Sequence, residues 1–193
     1  MTVIDLPALI LKCAIAVHPE TVSAIIQHES RGNPYALNTQ VRSYYPSSRA
    51  EAERLLAEAL RAGHSTDIGL MQVNSQWLRR YSLRPGDLLD PCTNIRIGTT
   101  ILRQNYIETW ARYRKEAPAL LEALSMYNTG DRRRGFRNGY VAKVTRQAGV
   151  SVTWKGAVSP NAHAQAVPPR TSPQAAPTGF PRTGPKAAPV TPR

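Results

Sequence analysis

The chain has 193 residues and carries 25 Lys and Arg against 13 Asp and Glu, a formal charge of +12. That length allows one ordinary domain with a hydrophobic core plus an additional segment. The charge favours polyanionic partners without choosing among nucleic acid, an anionic membrane surface and the acidic polymers of a cell wall. No uninterrupted apolar run approaches the ~20 residues that span a bilayer, so no transmembrane segment is expected. Cys13 and Cys92 are far apart and form no CxxC motif, which argues against a zinc or thioredoxin-type site and leaves buried thiols or a disulfide.

The N-terminal LPALILKCAIAV imitates a secretion signal. Lys12 interrupts its apolar run, however, and Asp5 stands where such signals carry a basic residue. It reads as the domain's first helix. Pro19 suits the first turn of a second helix, which runs to about Ser30. Ser48 and Glu51 form an S-x-x-E capping box before AEAERLLAEALRAG, a third helix stopped by Gly63. NIRIGTTILRQNYIETWARY sets Ile95, Thr99, Leu102 and Tyr106 on one helical face. PALLEALSMYN, opened by Pro118 and closed near Gly130, is another helix, and NGYVAKVTRQAG supplies a last one. Strand-type alternation is scarce and no internal repeat is visible. The pattern predicts a mainly α domain over residues 1–154. From 155 to 193 the composition changes to a proline-rich, acid-free stretch with Phe180 as its lone aromatic. Such a segment cannot bury enough apolar surface to offset its ordering entropy, so a disordered basic tail is expected there.

Glu29 is the first residue to suggest chemistry. Val22, Ile25 and Ile26 lie seven, four and three positions before it, on the same helical face, so its side chain is aimed toward the core. Removing a carboxyl group from water disfavours its charged form, which is how a general acid is made. Position alone leaves equal room for an ion pair with a neighbouring arginine such as Arg31. Two further stretches bear on the choice. DIGLMQVNSQW combines amides with Met71 and Trp77, and ALSMYNTG ends an apolar helix with Tyr127 and Asn128. Planar amides suit sugar hydroxyl and acetamido groups, and flat apolar surface suits ring faces. Taken singly, each of these is equally at home in a core.

Taken in order, Glu29-Ser30, Gly69-Leu70-Met71-Gln72, Tyr127-Asn128 and Gly139-Tyr140-Val141 resemble the soluble lytic transglycosylase family. The similarity runs from about residue 10 to 147. DPCTNI, YNTG, NGYVAKV and the inserted helix before DIGLMQ resemble more specifically its type IV secretion and conjugal-transfer branch. The resemblance implies a goose-type, lysozyme-like fold and cleavage of peptidoglycan glycan strands, with no cofactor and no metal. It implies Glu29 as acid and base, with Ser30 orienting the glycan or the carboxyl group. Gly69, Leu70, Met71 and Gln72 would line the groove beside the scissile bond, with Tyr127 and Asn128 across from it and Tyr140 supporting Glu29. It also implies a Cys13–Cys92 disulfide, a periplasmic location and secretion machinery as a partner. Met126 departs from the family, which often carries a small residue before Tyr-Asn.

Three rival readings have less support. His28-Glu29 begins an HExxH-like string, but Gly32 occupies the position of its second histidine. Nucleic-acid binding would use the spread arginines and DRRRGFR, yet no helix-turn-helix, RNP or zinc-finger signature is present, so no specific nucleic-acid partner is expected. A non-catalytic wall-binding protein would have no need of a buried acid. Among possible second carboxylates, Asp67, two residues before Gly69, is the best candidate, although after Ser65 and Thr66 it equally fits a cap or turn, while Asp87 and Asp90 read as solvent-facing. This scarcity favours a route with a single acid.

Overall fold

A computed structural model describes residues 4–149. The boundary expected at 154 and the proline-rich segment beyond it lie outside the described residues. Helix α1 (Leu6–Cys13) starts where the Asp5 side chain accepts from the Ala8 N–H. Helix α2 (Pro19–Glu29) has its proline in the first turn and ends at Ser30, after which Arg31 takes a positive φ. Helix α3 (Arg49–Arg61) starts at Ser48, whose hydroxyl accepts from the Glu51 N–H, and Gly63 beyond its end has φ +76°. These boundaries agree with the expected caps.

Among the described residues, four short strands lie between the helices: β1 (Leu37–Thr39), β2 (Ser43–Tyr44), β3 (Thr66–Ile68) and β4 (Val73–Asn74). They form one antiparallel sheet in the order β2-β1-β3-β4, with Asn38 opposite Asp67 and Asp67 opposite Asn74. The sequence pattern did not reveal this sheet. Strands of two or three residues are too short to show a period of two, and β3 is buried on both faces, so it shows no alternation.

After the single turn α4 (Trp77–Arg80) and a 3-10 turn at Pro85–Leu89, the long α5 (Pro91–Tyr113) crosses the domain and packs along α6 (Glu116–Thr129). Helix α5 begins three residues earlier than its apolar face predicts. Asp90 caps it by accepting from the Thr93 N–H, so this aspartate has a structural task instead of merely facing solvent. The described residues end with the short α7 (Arg134–Arg137) and with α8 (Tyr140–Gln147), which packs on α2 and α6. Val22, Ile25, Ile68, Leu70, Leu88 and Ile95 are among the fully buried side chains that join helices and sheet in one core. Each such aliphatic side chain contributes roughly 1.5–3 kcal/mol on burial. Among the described residues, no helix is long and apolar enough to cross a membrane.

Cys13 at the end of α1 and Cys92 in the first turn of α5 are joined by a disulfide that closes a stretch of 79 residues. The bond ties α1 to the helix it packs against, α5. Replacing both cysteines by serine is expected to lower stability by about 2–4 kcal/mol, chiefly by releasing the unfolded chain. Chemical denaturation of the double variant checks this, and an unchanged midpoint would show that packing of α1 alone suffices.

Candidate active site

Glu29 is the last residue of α2, and its Oε1 atom is shut off from solvent. Two phenols surround it. Tyr127, near the end of α6, donates its hydroxyl to the Met71 carbonyl at 2.7 Å. Burial raises its pKa well above the ordinary phenol value, and the charges of Glu29 and then Asp67 add to the rise. Tyr140, the first residue of α8, has a buried hydroxyl. Its pKa is likewise raised well above the usual value, first by burial, then by the charge of Glu29, by Tyr127 and by its contact with the Glu29 side chain. The His28 ring meets the Tyr140 ring edge-on, with centroids 5.0 Å apart. Three elements distant in sequence thus converge on one carboxyl group.

The raised phenols have a consequence for stability at high pH. In the unfolded chain a tyrosine ionises near 10, whereas the fold holds Tyr127 and Tyr140 neutral above that value. The folded state therefore keeps protons that the unfolded state has lost, so this contribution is intact below pH ~10 and falls as pH rises further. A Tyr127→Phe, Tyr140→Phe double variant is expected to lose less stability between neutral pH and pH ~11 than the wild type. Denaturation midpoints across that range decide it; equal losses would mean that other groups govern the alkaline limb.

The Gly69–Gln72 segment is a tight turn between β3 and β4. Gly69 has φ +76°, and a Cβ there would lie 2.4 Å from Asn94 Nδ2 and 2.8 Å from the Leu88 carbonyl. Asn94, fully buried in the first turns of α5, holds the turn from beneath. Its Oδ1 accepts from the Met71 N–H, and its Nδ2 donates to the Ile68 and Leu88 carbonyls, all at 2.8 Å. Sequence reasoning passed over Asn94. Its only signal was an amide in an otherwise apolar helical stripe, next to Ile95.

Leu70, Met71 and Gln72, expected to line the groove, are 0, 0 and 5% exposed. Met71 lies where Gly98 of α5 leaves room for it: a Cβ at Gly98 would come 2.7 Å from its sulfur. Gln72, at positive φ, donates from Nε2 to the Ala36 and Gly69 carbonyls. These side chains shape the turn and so place the Met71 carbonyl that Tyr127 grips. Ser30, expected near the glycan, is 1% exposed; its hydroxyl donates to the Ile26 carbonyl and accepts from the Gly32 N–H. It closes α2 at the point where Glu29 must be held. Asn128 is half-buried beside Tyr127, and its Oδ1 accepts from Asn138 Nδ2 at 2.9 Å.

Of the two readings open for Asp67, the cap or turn is not the one the fold adopts. It lies within β3, is only 6% exposed, accepts from Asn74 Nδ2 at 2.8 Å, and its charge reaches Tyr127. The fold thus brings a second carboxyl group to the phenol that also feels Glu29. Within DRRRGFR, Arg132 is tied to Glu108 and Glu122, and the Asp131 carboxylate accepts from the Arg133 and Arg134 N–H groups. That segment is organised by Asp131 within it and by acids of α5 and α6, and not as a uniform basic patch.

An acid at a helix end, faced by two buried phenols, is an arrangement suited to glycoside chemistry, and the sequence comparisons agree. The model of the transglycosylase SLT domain family matches residues 10–148, and the chain belongs to that family, with its lysozyme-like fold. Protein virB1 of Agrobacterium fabrum (strain C58) is 39% identical over 139 residues, covering 71% of this chain and 56% of that protein. Type IV secretion system protein virB1 of Brucella abortus (strain 2308) is 34% identical over 157 residues, covering 75% of this chain and 65% of the relative. The chain thus spans less than two thirds of the length of these curated relatives. No solved structure matches it.

Proposed function

We propose that the protein is a peptidoglycan lytic transglycosylase that cleaves the β-1,4 bond between N-acetylmuramic acid and N-acetylglucosamine. The observation that carries this reading is the Glu29 carboxyl group, with its Oε1 out of water, facing the neutral phenols of Tyr127 and Tyr140. Exclusion from water favours the protonated carboxyl. Glu29 then gives its proton to the glycosidic oxygen as the bond to the muramic acid C1 breaks. The acetamido oxygen of the same sugar covers the developing positive charge. Glu29, now a base, takes the proton of the muramic acid C6 hydroxyl while that oxygen closes on C1. An anhydro ring forms, Glu29 recovers its proton, and no water is consumed. The nucleophile is already part of the substrate, so proximity replaces a second protein group.

Tyr140 holds the carboxyl in place, Tyr127 locks α6 to the Gly69–Gln72 turn, and Asn128 meets the glycan beside them. We read its role as opening the wall locally for a secretion apparatus, acting in the periplasm with the machinery's subunits as partners, a reading that the relatives named for type IV secretion support.

Asp67 favours a second reading. A buried carboxylate held by Asn74 could stabilise the cation or attack it, giving a lysozyme-type muramidase that ends on water. Mass spectrometry of the muropeptides released from purified sacculi separates the two. Anhydro-muramic ends, lighter by one water, are expected; reducing muramic acid ends with loss of activity in Asp67→Asn would establish the hydrolase instead.

A further inference from the structure

Asn138 lies in the turn between α7 and α8 and is exposed to solvent. Its side chain makes two hydrogen bonds. The Tyr140 N–H donates to its Oδ1 at 3.0 Å, and its Nδ2 donates to Asn128 Oδ1 at 2.9 Å. The polarity of this chain of bonds is fixed from one end. A backbone N–H can only donate, so the atom of Asn138 that meets it must be the carbonyl oxygen. The other end of that amide is then NH2, and the atom of Asn128 facing it must accept. The Asn128 NH2 group is the end that remains for a ligand.

The geometry points to Asn138 as a positioning residue that sets the Asn128 amide with its donor toward the glycan, so that the site selects sugars bearing an acetamido carbonyl. This assignment rests on the glycan reading above. A sugar hydroxyl both donates and accepts, and is indifferent to which end of an amide it meets. A carbonyl oxygen only accepts, and it loses its bond and meets a lone pair if the Asn128 amide is turned round. The backbone of α8 at Tyr140, beside Glu29, thereby controls recognition at the end of α6.

Asp and Ala replacements at Asn138 distinguish this role from a purely structural one. Asn138→Asp keeps an acceptor for the Tyr140 N–H, but its second oxygen demands a donor, so Asn128 turns and presents its own oxygen to the sugar. Asn138→Ala releases Asn128, which can still adopt either orientation. A structural role predicts that Ala is the more harmful change, because it removes the cap on Tyr140. Control of amide polarity predicts the reverse for binding. With the full-length chain, short N-acetylglucosamine oligomers are expected to bind Asn138→Asp about tenfold more weakly than wild type, with Asn138→Ala in between. Glucose oligomers of the same length, which carry a hydroxyl in place of the acetamido group, are expected to bind all three alike. On sacculi, Asn138→Asp should raise KM while leaving kcat close to wild type. Equal binding of the N-acetylated oligomers by wild type and Asn138→Asp, or weaker binding by Ala than by Asp, overturns the assignment and leaves the glycan reading standing. A wild type that neither binds these oligomers nor cleaves sacculi overturns both.

Discussion

Glu29→Gln is expected to reduce release of sugar from sacculi by about 10²–10⁴-fold while leaving the Kd for glycan close to the wild-type value. Gln has the shape of Glu, so it preserves the end of α2 and the contact with Tyr140. It can neither hand an acidic proton to the departing oxygen nor take one from the C6 hydroxyl, so both halves of the reaction fail together. The change also has a signature unrelated to turnover. The charge of Glu29 helps to raise the pKa values of Tyr127 and Tyr140, after burial. Removing that charge lowers both, so tyrosinate absorbance should appear at lower pH in the variant. The fold itself should not suffer, since a carboxyl with a buried oxygen is held for chemistry and not for stability. Activity within tenfold of wild type would mean that another group supplies the proton, and Asp67 would then be the one to replace.

Asn94→Ala is expected to cost about 5 kcal/mol of stability, the largest effect of any single substitution considered. The asparagine satisfies one backbone N–H and two carbonyls in a place without solvent. Truncation leaves all three wanting, at roughly 1–3 kcal/mol each. For a chain of this size that corresponds to a fall in Tm of about 10 °C or more. Activity should drop even well below the unfolding transition, because the Gly69–Gln72 turn loses its support and the Met71 carbonyl moves from beneath the Tyr127 hydroxyl. Asn94→Asp should be nearly as harmful despite its matching shape, because a carboxylate cannot donate to Ile68 and Leu88. A loss of less than about 1 kcal/mol in Asn94→Ala would indicate that water enters and replaces the amide.

Local rules written in the sequence determined the helices. Pro19, Ser48 and Gly63 mark helix ends through backbone geometry and bonds confined to one turn, so Glu29 could be placed at the end of a buried stripe from spacing alone. The motif order placed Tyr127, Asn128 and Tyr140 around it by resemblance. Tertiary structure decided the rest, because it depends on contacts between residues far apart in sequence. In the sequence Asp67 fitted a second carboxylate or a polar turn equally; the pairing of β3 on both sides, with Asn74 at the carboxylate, excludes the turn. Resemblance offered Ser30 and Gln72 as ligand groups; only the fold shows that the Ser30 hydroxyl also closes a helix and that the Gln72 Nε2 also holds a tight turn. Asn94 and Asn138 matter only through partners that another element brings to them: the turn above α5 for one, the end of α6 for the other. An amide looks the same in a sequence whether it braces a backbone or meets a substrate. Only the position of the nearest donor or acceptor distinguishes the two.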